Sequence, residues 1–214
     1  MTATASSWLD LLVKVGPDDA DRDRERVLNA ALHAFLDFGI RRTSMGEIAK
    51  RSGISPATLY RRFSGKDDVV WAVGRREARR LIARVDNCVD VGSSAEDQIV
   101  AMFLAATVGV RHNRLLQRLL ATEPDIILPL LTLDGGPVLD LGRAYLSDFL
   151  RRLQQGGELP AFDPEPVAEM VARVALSLVL LPQTCLPLDD EDAVRAFARR
   201  HLALMLGWAP SDGA

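Results

Sequence analysis

The chain has 214 residues, 48% of them apolar and 26% charged, and a formal net charge of −3. That length suits one or two compact domains with a real core. No run approaches the roughly 18 uncharged apolar residues of a membrane span, and the first residues carry no basic stretch or cleavage signal, so membrane insertion and secretion are unexpected and the cytoplasm is the expected location.

Residues 1–21 read as a tail, with an apolar cluster of Trp8, Leu9, Leu11, Leu12 and Val13 before Gly16-Pro17. Val27, Leu28, Ala31, Ala34, Phe35 and Phe38 then recur at helical spacing, and Gly39 supplies a stop. Thr43 to Phe63 reads TSMGEIAKRSGISPATLYRRF, two short helix signatures joined by a tight turn. Ser44 and Glu47 have the spacing of a capping box, in which the hydroxyl accepts from a helix-end amide and the carboxylate reaches back. Ser52-Gly53 ends the first helix, Gly53 being free to take positive φ. Ser55 caps the second, with Pro56 at its first position, where a missing N–H costs nothing. Two helices of about eight residues bury little alone, and they make sense as a helix-turn-helix held by the preceding helix.

Rotation at 3.6 residues per turn shows what the second helix presents. With Leu59 and Phe63 toward the core, Ala57 and Arg61 face away, and Thr58 and Tyr60 lie on the flanks. A major groove accepts such a surface, because Arg can bond guanine O6 and N7 while small residues pack on a thymine methyl. Hydroxyls of Thr58 and Tyr60 suit phosphates, which position a helix without specifying sequence. Arg62 turns partly back, toward a phosphate or an intraprotein ion pair. Charge is distributed to match. Residues 21–84 hold 15 Lys+Arg and 8 Asp+Glu, a net of +7, whereas the rest of the chain carries a net of −10. Counterion release from duplex DNA favours a cationic reading head of this kind.

From Arg24 to about Leu81 the chain resembles the N-terminal domain of TetR-type transcriptional regulators. The resemblance is carried by Ala34-Phe35 with Gly39, then Thr43, Ile48-Ala49, Gly53-Ile54-Ser55, Thr58-Leu59-Tyr60, Phe63 and Lys66. It implies a three-helix reading head, a homodimer, and a C-terminal helical domain that senses a small molecule. It also implies DNA contacts at Thr43, Ser44, Ser55, Ala57, Thr58, Tyr60, Arg61 and Lys66. Gly46 departs from the family pattern, where a larger residue is commoner. A glycine in the first helical turn costs up to about 1 kcal/mol against alanine and leaves room for close approach to a backbone.

Beyond the head, helical patterns follow one another and nothing alternates as a strand. Lys66 to about Val91 reads as a long linking helix with Arg75, Arg76, Arg79 and Arg80 on its outer surface. Ala95 to about His112 is apolar almost all round and is expected to be central. Helices are also expected over Arg114–Thr122, from Pro124 to about Leu133, and over Val138–Gln155, the last two separated by Gly135-Gly136-Pro137. Two more close the chain, one through Val167 to Leu181 and one through Val194 to Met205.

The expected fold is therefore all-α, with a tail at 1–21, a helix-turn-helix domain at 22–81, and a helical effector-binding and dimerisation domain at 82–214. An effector pocket is expected to be mainly apolar. Its candidates are Met102, Phe103, Ala106, Phe149 and Met170, with Thr107, Gln117, Glu123 and Tyr145 as polar anchors. The last two helices have apolar faces wider than one helix pair needs, which suits a two-fold four-helix bundle. Val171, Val174, Leu178, Leu181, Phe197, His201 and Met205 are the dimer candidates.

His33, His112 and His201 fall on different helices without carboxylate companions, so no metal is expected. Cys88 and Cys185 fit no metal spacing and read as small buried residues in a reducing compartment. No cofactor is expected, and no GxSxG, HExxH, P-loop or GxGxxG supports an enzyme. The expected function is a dimeric repressor released from a palindromic operator by a small hydrophobic effector. The rival is a DNA-binding or architectural protein without an effector.

Overall fold

Short polar side chains set where the helices begin. Ser44, Ser55, Ser94 and Asp163 each take a backbone N–H two or three residues ahead, satisfying an orphan donor of the first turn. The computed structural model describes residues 19–205 apart from 182, 187 and 189. The apolar cluster near the N-terminus lies outside the described residues. The described residues form ten α-helices and no strand: α1 Asp19–Phe38, α2 Met45–Ser52, α3 Pro56–Arg62, α4 Lys66–Cys88, α5 Ala95–Arg111, α6 Arg114–Thr122, α7 Pro124–Leu131, α8 Gly136–Gln155, α9 Pro164–Leu180 and α10 Glu191–Met205. None is long and apolar enough to cross a membrane by itself.

Helix limits follow the sequence closely, and two of the differences have local causes. Helix α4 stops at Cys88, three residues early, where Val89 N–H turns back to Asp86 O at 3.2 Å. Helix α8 starts earlier than its apolar pattern does, because Pro137 is accommodated in its first turn.

The chain divides into two compact units. One contains the described residues up to Arg80 together with Arg114–Ile127, and the other contains Leu81–Asn113 and the residues from Leu128 onward. Residues 114–127 belong to the first unit, although 82–214 was expected to form one domain. The cause is the apolar stripe of α6, whose Leu115 and Leu119 pack into the first unit's core with Ile126 and Ile127 of α7.

That first core is built from α1 to α4 and α6. Phe35, Ile48, Leu59, Phe63 and Val69 are almost wholly buried in it. Burying side chains of this size contributes about 1.5–3 kcal/mol each. One cation is buried with them. Arg76 on α4 is 5% exposed and donates to Leu28 O at 3.1 Å and Asn29 Oδ1 at 2.9 Å, with Glu25 and Glu77 beside it. It ties α4 to α1. Phe38 was expected in this core and is instead 45% exposed, its ring covered by the Arg51 guanidinium at 4.8 Å. The capping box is also only half made. Ser44 Oγ accepts from Glu47 N–H at 3.1 Å, but the Glu47 carboxylate is taken by Arg51 Nε at 2.6 Å. Arg51 bonds Asp37 as well at 2.7 Å, and these hydrogen bonds, Glu47 first, raise its pKa further.

In the second unit α8 packs along α9, and α5 packs against α10 and α9. Val85, Ile99, Met102, Phe149, Leu150, Leu153 and Ala168 form its main core, and Leu104, Leu188 and Val194 form a smaller one. Helix α5 is deeply buried only over its first ten residues; Ala105 to Val110 are half-buried. Both cysteines are exposed, against expectation: Cys88 ends α4 and Cys185 lies in the connection before α10. Chain ends of helices and connections face water more often than a small apolar side chain alone would suggest.

Candidate nucleic-acid interface

The helix-turn-helix is fixed mostly by its own residues. Gly53 takes φ +69° after α2, and its N–H closes onto Ala49 O and Lys50 O. A Cβ at this position would sit 3.0 Å from an Arg26 nitrogen, in a backbone conformation that L side chains rarely adopt. Ile54 N–H then bonds Ala49 O at 3.3 Å, and Ser55 opens α3 by accepting from Thr58 N–H at 3.1 Å. Leu59 and Phe63, at 0% and 1% exposure, pin one side of α3 to the core.

The opposite side is open. Ala57, Tyr60 and Arg61 are exposed, and Arg61 has no ion pair or hydrogen bond among the described residues. Three expected contact residues are otherwise engaged. Thr43 is 1% exposed, and its hydroxyl donates to Gly39 O at 2.7 Å. Arg62 pairs with Asp23 of α1 at 3.2 Å, the intraprotein alternative foreseen for it. Lys66 Nζ donates to Ile40 O at 3.1 Å and Arg41 O at 3.4 Å. Ser44 and Ser55 spend one acceptor each on caps but remain exposed, and Thr58 is half-buried with its hydroxyl 2.9 Å from Ser55 Oγ. Arg42 was not singled out from the sequence. It is exposed, directly precedes the Thr43-Ser44 cap, and has no ion-pair partner among the described residues.

The effector candidates separate into groups. Met102 and Phe103 line a small apolar cavity with Ile99, Leu146, Leu150, Val167, Ala168, Val171 and Leu202. Its volume is about 30 Å³. Ala106, Tyr145 and Phe149 belong to the surrounding cluster without lining it, and Thr107 is half-buried elsewhere along α5. Tyr145 donates to Asp86 at 2.9 Å, and burial followed by this bond pushes its hydroxyl pKa well up. Met170 is exposed on α9. Gln117 and Glu123 lie in the first unit, away from this lining; Gln117 is exposed, and Glu123 accepts from Ile40 and Arg41 amides.

The dimer candidates also divide. Val174 and Leu181 are exposed; Val174 shares one face of α9 with Met170, and Leu181 directly follows the helix. Val171 lines the cavity, and Leu178 packs against the smaller core. Phe197 stacks between Phe103 and the exposed His201, with ring centroids 6.4 and 4.7 Å away. The side chain of Met205 lies outside the described residues. Among the described residues no cluster of His, Cys, Asp or Glu has metal-site geometry.

A capped helix-turn-helix with an open cationic second helix, followed by a helical C-terminal region, is the layout of the helix-turn-helix class of DNA-binding proteins. Comparison with known proteins gives the family. The profile of bacterial regulatory proteins of the tetR family matches residues 27–73, and that of the bacterial tetracyclin repressor C-terminal domain matches residues 90–200. The chain belongs to the TetR family.

Among its relatives, the HTH-type transcriptional regulator UidR of Escherichia coli is 32% identical over 105 residues, 49% of this chain and 51% of that protein. The HTH-type transcriptional activator FasR of Mycolicibacterium smegmatis is 30% identical over 111 residues, 50% of this chain and 51% of that protein. The chain thus spans about half the length of these curated relatives. The fold is shared with the R. erythropolis repressor QsdR, at 21% identity and TM-score 0.63 over 91% of this chain and 99% of that one. It is shared also with AlkX from Dietzia, at 18% identity and TM-score 0.63 over 86% and 95%.

Proposed function

We propose that the protein is a dimeric repressor that reads a palindromic DNA operator with α3 and leaves it when a small hydrophobic effector binds. The observation that carries the DNA half is Arg61, exposed and unpaired among the described residues on a helix whose other side is locked into the core. Arg61 reads a guanine edge. Ala57 packs on a base, Tyr60 and Thr58 reach phosphates, and Ser44, Ser55 and Arg42 add backbone contacts. Thr43 and Lys66 act indirectly, by holding the turn before α2.

Two subunits are required because one short helix covers only a half-site. The exposed Met170 and Val174 on α9, with Leu181 just beyond its end, supply an apolar surface for a second copy. For the effector, the support is a cavity whose nine lining residues are all apolar. At about 30 Å³ it must widen before it admits a drug-sized ligand, since such sites run to about 300–1,000 Å³. An effector that binds the widened state better would shift the DNA-binding equilibrium by that difference in affinity.

The small volume equally favours a regulator that works without an effector. Titrating duplex DNA against the purified protein, with and without a library of hydrophobic compounds, separates the two. Binding that weakens with salt and is relieved by some compound supports the proposal. Salt-sensitive binding that no compound relieves supports the effector-free regulator. A molecule that sediments as a monomer and ignores every duplex at low ionic strength would end both.

A further inference from the structure

The turn between α1 and α2 is held from a distant part of the chain. Gly39 ends α1 at φ +83°, and the two N–H groups that follow form a small anion nest. Glu123, 7% exposed, fills it: Oε2 accepts from Ile40 N–H at 2.6 Å and Oε1 from Arg41 N–H at 2.9 Å. A Cβ on Gly39 would stand 2.9 Å from the carboxylate carbon and both its oxygens. Glycine is therefore needed here for space as well as for φ. Lys66 takes the carbonyls of the same two residues, so each residue is held at its N–H and at its C=O.

Glu123 is itself rigid. Its N–H closes α6 onto Leu119 O at 2.9 Å, and its carbonyl accepts from Ile126 at 3.0 Å as α7 begins. Arg118, also on α6, donates to Phe35 O at 3.3 Å and Asp37 O at 3.1 Å, two carbonyls of the last turn of α1. Arg41 pairs with Asp125 on α7. Beyond the turn, Thr43 bonds back to Gly39, and Ser44 starts α2. The path from Gly39 to Ser44 is thus fastened at nearly every residue, and α2 and then α3 inherit its direction.

We propose that Glu123 is a positioning residue for DNA reading: its buried carboxylate, encoded some eighty residues away, sets the entry angle of the helix-turn-helix through the Ile40 and Arg41 amides. The proposal rests on the DNA-binding function above. Glu123 touches no DNA. It restricts the spread of α3 orientations, so that two heads meet successive grooves at one spacing.

The test is Glu123→Gln. The amide keeps the shape but sets an NH2 group against one of the two N–H donors. The variant is compared with wild type on the duplex that wild-type protein selects from a random pool and on copies with the half-site spacing lengthened or shortened by one base pair. Measurements are made at a temperature where circular dichroism shows both proteins folded. Loss of one charge-assisted hydrogen bond at the turn is expected to weaken operator binding about tenfold. It is also expected to flatten the preference for one spacing, leave the salt dependence unchanged, and speed hydrogen exchange at the Ile40 and Arg41 amides.

Simple destabilisation would not flatten the spacing preference of the folded protein. A folded variant with wild-type affinity and spacing preference overturns the proposal. If Glu123→Gln does not fold, Glu123→Asp, which keeps the charge but falls short of the nest, decides it on the same readouts. Wild-type protein that ignores all duplexes defeats the DNA-binding function instead, and exchange at the two amides still reports on the clamp.

Discussion

The two units are fastened by different means. In the first, polar side chains are aimed at backbone groups: Ser44, Ser55 and Thr43 at the helix-turn-helix, Arg76 on Leu28 O, Arg118 on the end of α1, Glu123 and Lys66 on the turn after it. In the second, the helices meet mainly through carbon, and the cavity among α5, α8, α9 and α10 is lined by apolar residues alone. Directional bonds fix angles, whereas apolar contacts fix volume and tolerate repacking. A reading head needs the first property, because a base-edge contact fails when a helix tilts. The proposed effector site, which would have to widen around a ligand, needs the second.

That contrast can be broken or sharpened by substitution. The largest effect is expected from Val174→Asp on the exposed face of α9, which should yield a monomer by light scattering. Operator affinity should then fall by about 10²–10⁴-fold as the second head is lost. A dimer with intact affinity would move the interface elsewhere. Next, Phe149→Ala removes a ring that is 3% exposed in the second core and should cost about 3–5 kcal/mol in urea unfolding. A cost below about 1 kcal/mol would mean that this core repacks freely.

Arg61→Ala should leave stability unchanged and cost about 1–3 kcal/mol of operator binding, with preference relaxed at one base pair per half-site. An equal loss on every sequence would demote Arg61 to a phosphate contact. The smallest change is Gly46→Ala. An added Cβ there meets only Ser44 Oγ at 3.8 Å, so thermal unfolding should show a gain of up to about 1 kcal/mol. Weaker DNA binding alongside that gain would show that the glycine makes room for a DNA backbone.

The same division explains what the sequence made legible. The helix-turn-helix could be read because its determinants lie within a few residues of one another: Ser55 with Thr58, Gly53 with Ala49, Leu59 with Phe63. Helix limits in the second half were legible for a similar reason. What escaped was the partner in each contact made across the chain. Glu123 looked like a polar anchor beside an apolar helix, and nothing local says that its acceptors' partners are two amides 82 and 83 residues earlier. Gly39 was the available signal, since a glycine followed by two unpaired amides asks for an acceptor, but it does not say which carboxylate answers.

Phe38 misled because it continues the apolar spacing of α1, although its ring lies at the surface under the Arg51 guanidinium. The apolar faces of α9 and α10 were visible as wide stripes. Periodicity alone did not divide Val171, in the cavity, from Val174, in solvent, three residues apart.

The central claim is that paired α3 helices, each offering one arginine, read duplex DNA. Selection of bound fragments from a random duplex pool by the purified protein tests it most directly. The expected product is an inverted repeat whose half-sites lie about one helical turn, or a small multiple of it, apart. That enrichment should vanish with Arg61→Ala. Recovery of no common sequence at low salt, or of a single unrepeated site indifferent to Arg61, would contradict it.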